Sequence, residues 1–478
     1  MRILFHVPFP GFLRMYGSTI SLLAERGHRV LLAYDEPERR RDPTAASIEA
    51  AAGVEIVSPL PAPSRRLERQ IGQLRLAIDY LRYLDRRFAG SPYLRRRLEK
   101  YLHGPLRLLR HAPRRLPLTR VFVRALVAAE RLVASDKQLE AAIAAYAPDV
   151  VVVTPLIGRT MRDRQQTDTV KAARRLGIPV GFGVSTWDQL TTKGIVKALP
   201  DRAFVWNEIQ RREARDFHFL PPQRVVVTGA QLFDHWFERG PSCSKEGFLG
   251  RVGLYPAGRY VLYVGSSRTI ARAKHEIAFV RRWIIALRES GDPVLEEIAV
   301  LVRPHPYNVT HWAAVDLSDI GAAVAPRVVP ELPMNNEDEA LYYDSIHFSS
   351  AVVGINTTAM VESFIQRRPV LTIRTREFQE TQEGTVHFRH LASAGDGALQ
   401  VAETMEEHLG QLRDAVEHPE RRREAIDAFL LTFVRPHGLD CPATPILAGA
   451  IEDLAALRSP SVRSRRDRAA VPVQPASK

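Results

Sequence analysis

Two basic residues in a stiffened turn are the first candidates for chemistry. In "VLVRPHPYN", residues 300–308, Arg303 and His305 follow a strand-like apolar run and are interleaved with Pro304 and Pro306. The prolines fix backbone dihedrals and remove two amide donors, so the turn presents His305 in a defined direction. A guanidinium beside an imidazole suits a phosphate or pyrophosphate, the first giving a bidentate contact and the second an N–H donor. Alone, the pair also fits an ordinary loop, with His305 as a cap and Arg303 bound to a surface carboxylate.

Two further stretches end apolar runs in the same way. "SAVVGINTTAMVES", residues 350–363, reads as a strand, a glycine-containing loop and a helix that starts near Thr357 or Thr358. A helix start offers unpaired amides, and the two threonines add hydroxyl donors, which together favour an anion. Glu362, inside the first turns, repels an anion but suits the hydroxyls of a ribose. In "VGSSRTI", Gly265, Ser266 and Ser267 follow another strand, where backbone amides can approach a phosphate. Each loop is weak by itself, whereas three at the ends of parallel strands in one domain converge in space.

The elements that would hold these loops follow from hydrophobic periodicity. The opening "RILFHVPFPGFLRMYGSTISLLAERGHRVLLAYDE" is an apolar run, a Pro/Gly loop, a helical stretch and a second apolar run, a βαβ unit. Similar units follow through "PDVVVVTP", "IPVGFGVS", "DRAFVWN" and "RVVVTGA". Nearly all-apolar strands separated by helices predict a parallel sheet covered on both faces. Gly, Pro and charged residues cluster over 238–258, and the alternation then restarts with "RYVLYVGSS", "IAVLV", "RVVP", "SAVVGI" and, last, "PVLTI". The expected architecture is α/β: two doubly wound Rossmann-like domains facing a cleft, residues 1–240 and 241–458, the first carrying a basic helical insertion at about 61–135. A late helix in "DCPATPILAGAIEDLAAL" is expected to return to the first domain. Residues 459–478, basic and rich in Pro and Ser without apolar periodicity, are expected to be disordered.

Composition narrows the class. With 478 residues, 45% of them hydrophobic, the chain can fill two cores. Cys243 and Cys441 are too few for a disulfide framework or a zinc cluster. No signal-peptide pattern or long apolar window is present, which predicts a cytoplasmic protein without a membrane span. The net charge of +13 is localised: residues 64–124 hold 17 Lys or Arg against four acids, and residues 458–478 add six bases against Asp467. The rest is mildly acidic, which makes nucleic acid an unsuitable partner. In "LRLAIDYLRYLDRRF" apolar residues recur at helical spacing with Arg75, Arg82, Arg86 and Arg87 mostly on other faces. Such amphipathic helices suit a solvated arginine-rich face, the anionic lipid headgroups of a membrane surface or a lipid-phosphate-linked acceptor.

These residues resemble a known pattern. Over roughly residues 1–455 the chain resembles the two-domain nucleotide-sugar glycosyltransferases of the GT-B fold, a class that also contains UDP-N-acetylglucosamine 2-epimerases and CDP-glycerol glycerophosphotransferases. "PFPGFLRMYGSTISLLAERGH" looks like their first strand-loop-helix, and "GINTTAMVESFIQRRPVL" like the signature helix of the nucleotide domain. "VRPHP" most resembles the His-Pro motif of CDP-glycerol transferases and of bacterial sialyl- and Kdo-transferases. By that resemblance His305 contacts donor phosphate, Thr357 and Thr358 form the phosphate-binding pair, and Glu362 grips the ribose. Phe12 stands where plant-type glycosyltransferases place a catalytic histidine, "NTT" replaces the epimerase-type "SGG", and the basic insertion has no counterpart in the family.

The resemblance implies a metal-independent transferase without a cofactor, since no D-x-D motif is present. It would move a glycosyl or glycerophosphoryl group from a nucleotide-sugar or CDP-activated donor to a glycan, lipid-linked or small-molecule acceptor of the cell envelope or secondary metabolism. A base must then deprotonate the acceptor. His6, at the end of the first strand, and Asp188 in "STWDQLTTKG" are the candidates, while by the resemblance Glu383 in "EFQETQEGTVHFRHL" is the residue expected to touch the donor's transferred group. A backbone-bonded core histidine and a turn-capping aspartate are the ordinary roles open to the first two. Two other functions stay open: a UDP-sugar 2-epimerase-like enzyme, and a non-catalytic nucleotide- or polyanion-binding scaffold.

Overall fold

The computed structural model describes residues 1–39, 43–111, 118–156, 165–254, 256, 258–326 and 336–457. Two parallel sheets organise them. The first contains β1 (Arg2–Val7), β2 (Arg29–Tyr34), β3 (Val54–Ile56), β4 (Val150–Val153), β5 (Val180–Gly183), β6 (Arg202–Val205) and β7 (Val225–Val227), in the order β3-β2-β1-β4-β5-β6-β7. The second contains β8 (Tyr260–Val264), β9 (Ala299–Arg303), β10 (Ala322–Val324), β11 (Ala351–Gly354), β12 (Val370–Ile373) and β13 (Leu399–Ala402), in the order β10-β9-β8-β11-β12-β13. Both are doubly wound, as the all-apolar strands predict: β1, β4, β8 and β11 are buried on both faces under helices.

The differences from the pattern-based reading have physical causes. "PVLTI" is not the last strand, because "LQVA" pairs beside it as β13; four residues with two half-buried ones carry little hydrophobic signal. The "RVVP" stretch and the 459–478 tail lie outside the described residues. The helix Ala443–Leu454 packs Leu447, Ala448, Ile451 and Leu454 against Ile3 and Phe5 of the first sheet, so the chain crosses back between the layers. Among the described residues, no helix is long and apolar enough to cross a membrane.

The basic insertion is less solvated than its charge suggests. In the helix Glu68–Arg82, Arg75 and Arg82 are turned inward. Arg75 donates to both oxygens of Asp168 at 2.7 and 2.9 Å and to Glu130 at 2.8 Å, and Arg82 donates to the carbonyls of Lys193 and Gly194. Buried cations persist only when paired, so these arginines fasten the insertion to the first domain.

The insertion also reaches the second domain. Phe88 packs with Phe217 and Val386, and the backbones of Gly90 and Gly384 cross so closely that a Cβ on Gly384 would lie 2.1 Å from the Gly90 oxygen. Arg389 donates to the Arg87 carbonyl at 3.3 Å across the same crossing. The insertion is thereby a strap from one domain to the other, passing one end of the cleft.

Candidate functional site

Each sheet reverses its winding direction once, at β1/β4 and at β8/β11, and ligands of doubly wound folds sit beyond the strand ends at such points. Here the two reversal points face each other. Parallel register decides what emerges there: Val264 of β8 lies beside Arg303 of β9 and Gly354 of β11. The loops beginning at Gly265, Pro304 and Ile355 therefore leave the sheet in one row.

Gly265 is required for that row to close. A Cβ there would stand 2.6 Å from the His305 amide nitrogen and 3.1 Å from Pro304 Cα, so only glycine lets the Arg303–His305 turn lie against β8. The serine loop is built differently from the phosphate cradle that its sequence suggests. The Gly265 amide donates to the Arg303 carbonyl at 2.8 Å, and the Ser266 amide donates to Glu276 Oε1 at 2.7 Å. Those two amides are committed within the fold, and Ser266 is fully buried. Ser267 remains at the cavity wall.

Gly265, Ser267, Arg303, His305, Thr357, Thr358 and Glu362 line one cavity of about 420 Å³ between the domains. His305 is half-buried, and the Tyr307 amide donates to its Nδ1 at 3.1 Å. In the neutral ring that bond leaves the proton on Nε2, a donor for an incoming anion. Burial, with Arg14 nearby, lowers the His305 pKa to about 4. Arg303 lies 4.8 Å over the Tyr342 ring, and burial lowers its pKa to about 10, still cationic at neutral pH. The Tyr342 hydroxyl donates to Glu362, whose carboxyl burial pushes up to about 7 against that bond and the pull of Arg14. Glu362 therefore offers an acceptor for hydroxyls with less repulsion of a nearby phosphate than an exposed carboxylate would exert. The Thr358 hydroxyl accepts from Trp187 Nε1 at 3.2 Å, a bond between the domains.

Arg14 is the cleft residue that sequence reasoning passed over. It sits in the turn after β1, lines both interdomain cavities, and makes no hydrogen bond or ion pair among the described residues. Its charge is felt by His305, Glu362 and Glu339 of the opposite domain. The signal was its place two residues after Phe12 in the first loop.

The three candidate catalytic residues separate. His6 is fully buried, with Nδ1 2.9 Å from Thr169 Oγ1 and Nε2 2.7 Å from Asp35 Oδ1, and it lines neither cavity. Both ring nitrogens are engaged below the strand end, so His6 sits in the core and not at the cleft. Glu383 lines neither cavity either; it pairs with Arg374 at 3.2 Å, beside the Gly384 crossing. Asp188 lines both cavities. Burial would raise its pKa, but Lys193, His387 and hydrogen bonds from Thr186 and Thr192 outweigh burial and hold it well below the ordinary carboxylate range. His387, from the helix Val386–Ser393, packs edge-on against Trp187 at 5.0 Å and also lines both cavities. Burial, with help from His390, Lys193 and Arg97, lowers its pKa to about 4 despite Asp188, so its ring is neutral at pH 7.

Glu276 couples the serine loop to pH. Burial raises its pKa to about 8, against hydrogen bonds from the Ser266 amide, Tyr263 and Asn308. The folded value lies above the ordinary 4.5, so its favourable contribution is complete below pH 4.5 and is lost as pH rises through about 8. Glu276→Gln copies the protonated carboxyl. The expected result is a melting temperature equal to the parent near pH 4.5 and a gap that widens to roughly 4 °C by pH 8.5, then levels off, by scanning calorimetry. A constant gap across pH would contradict it.

Comparisons with known proteins extend these observations. No protein-family model matches the chain, and no curated protein matches it. Solved structures do. A glycosyltransferase from Rickettsia africae superposes with a TM-score of 0.50 at 10% identity, covering 95% of this chain and 98% of its own. A UDP complex of MnaA from S. aureus gives 0.50 at 12%, covering 95% and 97%. A Listeria monocytogenes protein, provisionally described as a UDP-N-acetylglucosamine 2-epimerase, gives 0.50 at 12%, covering 95% and 96%. The similarity spans nearly the whole chain and shows the two-domain GT-B fold.

Proposed function

We propose, from the GT-B fold and the groups that meet in its cleft, that this protein is an enzyme acting on a nucleotide-activated sugar. More narrowly, we read it as a transferase that moves a glycosyl or glycerophosphoryl group to an acceptor. The observation that carries this reading is the meeting of Arg303, His305, Thr357, Thr358, Glu362 and the unpaired Arg14 in one interdomain cavity. Arginine and imidazole donors fit the diphosphate, and Glu362 fits the ribose hydroxyls.

For glycosyl transfer the acceptor hydroxyl attacks the anomeric carbon, the bond from that carbon to the phosphate oxygen breaks, and the electron pair leaves with the nucleoside phosphate. Arg303, Arg14 and the Nε2–H of His305 would stabilise the charge that builds on this leaving group. Asp188, at the junction of the two cavities, would accept the proton of the acceptor hydroxyl as the new carbon–oxygen bond forms. His387, neutral and adjacent, completes the polar end of the cleft.

The test is a calorimetric panel of CMP, CDP, UDP, GDP and dTDP with the parent protein and His305→Ala. One nucleotide is expected to bind the parent, and His305→Ala is expected to weaken it about 10-fold. No binding by the parent would defeat the transferase reading, and an unaffected His305→Ala would remove His305 from the phosphate site. Epimerisation without an acceptor is the second reading, because the fold is shared equally with the provisional epimerase and the glycosyltransferase. Turnover of a UDP-sugar alone would select it, and strict dependence on an acceptor would select the transferase.

Membrane docking belongs to the same proposal. Leu108, Leu118, Val121 and Phe122 of the insertion are exposed, as is Leu132 at 87%, among Arg107, Arg120 and Arg124. Apolar side chains flanked by arginine suit an anionic lipid surface. Vesicles containing phosphatidylglycerol are expected to sediment the protein and phosphatidylcholine vesicles are not; a Val121→Ser/Phe122→Ser variant should lose most of that binding. Equal sedimentation of parent and variant would rule this surface out.

A further inference from the structure

The second interdomain cavity, about 690 Å³, is within the range of small-molecule sites, and the donor reading leaves it unassigned. It shares Arg14, Asp188, His305 and His387 with the donor cavity and extends from them in another direction, away from Thr357 and Glu362. A molecule lying in it would reach the same reactive junction from the opposite side.

Its charge is one-sided. Arg14, Arg97, Lys193 and Arg268 line it, and Asp188 is the single carboxylate among its lining residues. Arg97 comes from the strap, on the helix Tyr93–Glu99. It is held there by a bond to the Tyr83 hydroxyl at 3.3 Å and by the Tyr83 and Tyr93 rings at 5.9 and 6.0 Å. Its Nε is buried with no hydrogen-bond partner among the described residues, and its charge is felt by His387 across the cavity. Arg268 is held from the other domain through the Tyr307 carbonyl at 2.7 Å. Phe9 and Phe12, edge to face at 6.0 Å, supply an apolar wall.

The geometry points to an anion-binding subsite for the second substrate, walled by the insertion and suited to an acceptor that bears a phosphate or carboxylate beside an apolar group. The inference deepens the proposed function, resting on the adjoining cavity being the donor's. It also gives the insertion a role at the site: the strap places a cation that the two sheets do not supply. Aligned cations in a partly desolvated cavity discriminate by charge more strongly than the same groups on an open surface.

Phenyl phosphate, benzoate and neutral phenyl β-glucoside serve as probes, titrated by calorimetry with and without saturating UDP. Phenyl phosphate or benzoate is expected to bind the parent about 10-fold more tightly than the glucoside, and the tighter of the two identifies the anion. Arg97→Gln is expected to abolish that preference, Arg97→Lys to restore most of it, and both to leave UDP affinity unchanged. Should Arg97→Gln unseat the strap, seen as a lowered melting temperature, Arg268→Gln carries the same expectation at the cavity's other wall. Equal affinity for charged and neutral probes, displacement of the anion by UDP, or anion binding untouched by both Arg97→Gln and Arg268→Gln would overturn the inference. If no nucleotide of the panel binds while anion affinity still depends on Arg97, the donor reading falls and the subsite stands.

Discussion

Arg14→Gln is expected to weaken binding of the cognate nucleotide by about 10- to 100-fold while leaving the melting temperature within about 1 °C of the parent. The separation of the two effects is the informative part. Arg14 is exposed to the cleft and has no hydrogen bond or ion pair among the described residues, so no internal contact is lost with it. A ligand phosphate would be its first anionic partner, and a charge-assisted bond to a largely desolvated anion exceeds an ordinary hydrogen bond. Calorimetry on Arg14→Gln, His305→Ala and the double variant measures whether they act on one phosphate. Losses smaller than additive would place both on the same group, and full additivity would assign them to separate ones. Unchanged affinity in Arg14→Gln would remove it from the site.

Asp168→Ala is expected to cost about 3–5 kcal/mol of stability. Asp168 and Glu130 are fully buried and together answer Arg65, Arg75 and Lys171, with separations between 2.7 and 3.1 Å. Removing Asp168 strands Arg75 in the interior without its bidentate partner, where desolvation is no longer offset. Replacing both partners by apolar residues, Arg75→Met with Asp168→Leu, should recover much of the loss, because a buried pair costs its own desolvation. Urea unfolding of the three proteins checks this. Because the helix Glu68–Arg82 roots the strap, Asp168→Ala should also loosen the crossing at Gly90 and Gly384, read as faster amide exchange there. A loss below about 1 kcal/mol would show that the network contributes little.

Much of the fold was legible because it depends on local patterns. The apolar strands, the glycine at 265 and the Pro–His–Pro turn each carry their structural role in residue type and spacing. Register then follows, because a buried parallel strand cannot slip without exposing its apolar residues. That is why Arg303, Gly265 and the threonine pair, read as converging, do line one cavity. The short strand β13 escaped notice because four residues, two of them only half-buried, resemble loop. Arg75 and Arg82 were read as outward because their type favours water, and only the acids and carbonyls brought from distant segments allow them inside.

The amino-acid sequence by itself determined two doubly wound layers, their parallel strands and the loops at which a phosphate would be met, because hydrophobic period and turn chemistry act over a few residues. The tertiary structure alone decided which charges share a cavity. It withdrew His6 into the core between Asp35 and Thr169, turned Glu383 toward Arg374, and committed the Ser266 amide to Glu276. It also left Asp188 and Arg14 facing the cleft and carried Arg97 there on a strap. Those outcomes depend on packing between residues up to hundreds of positions apart, and the desolvation that sets their protonation exists only once the domains have closed on each other.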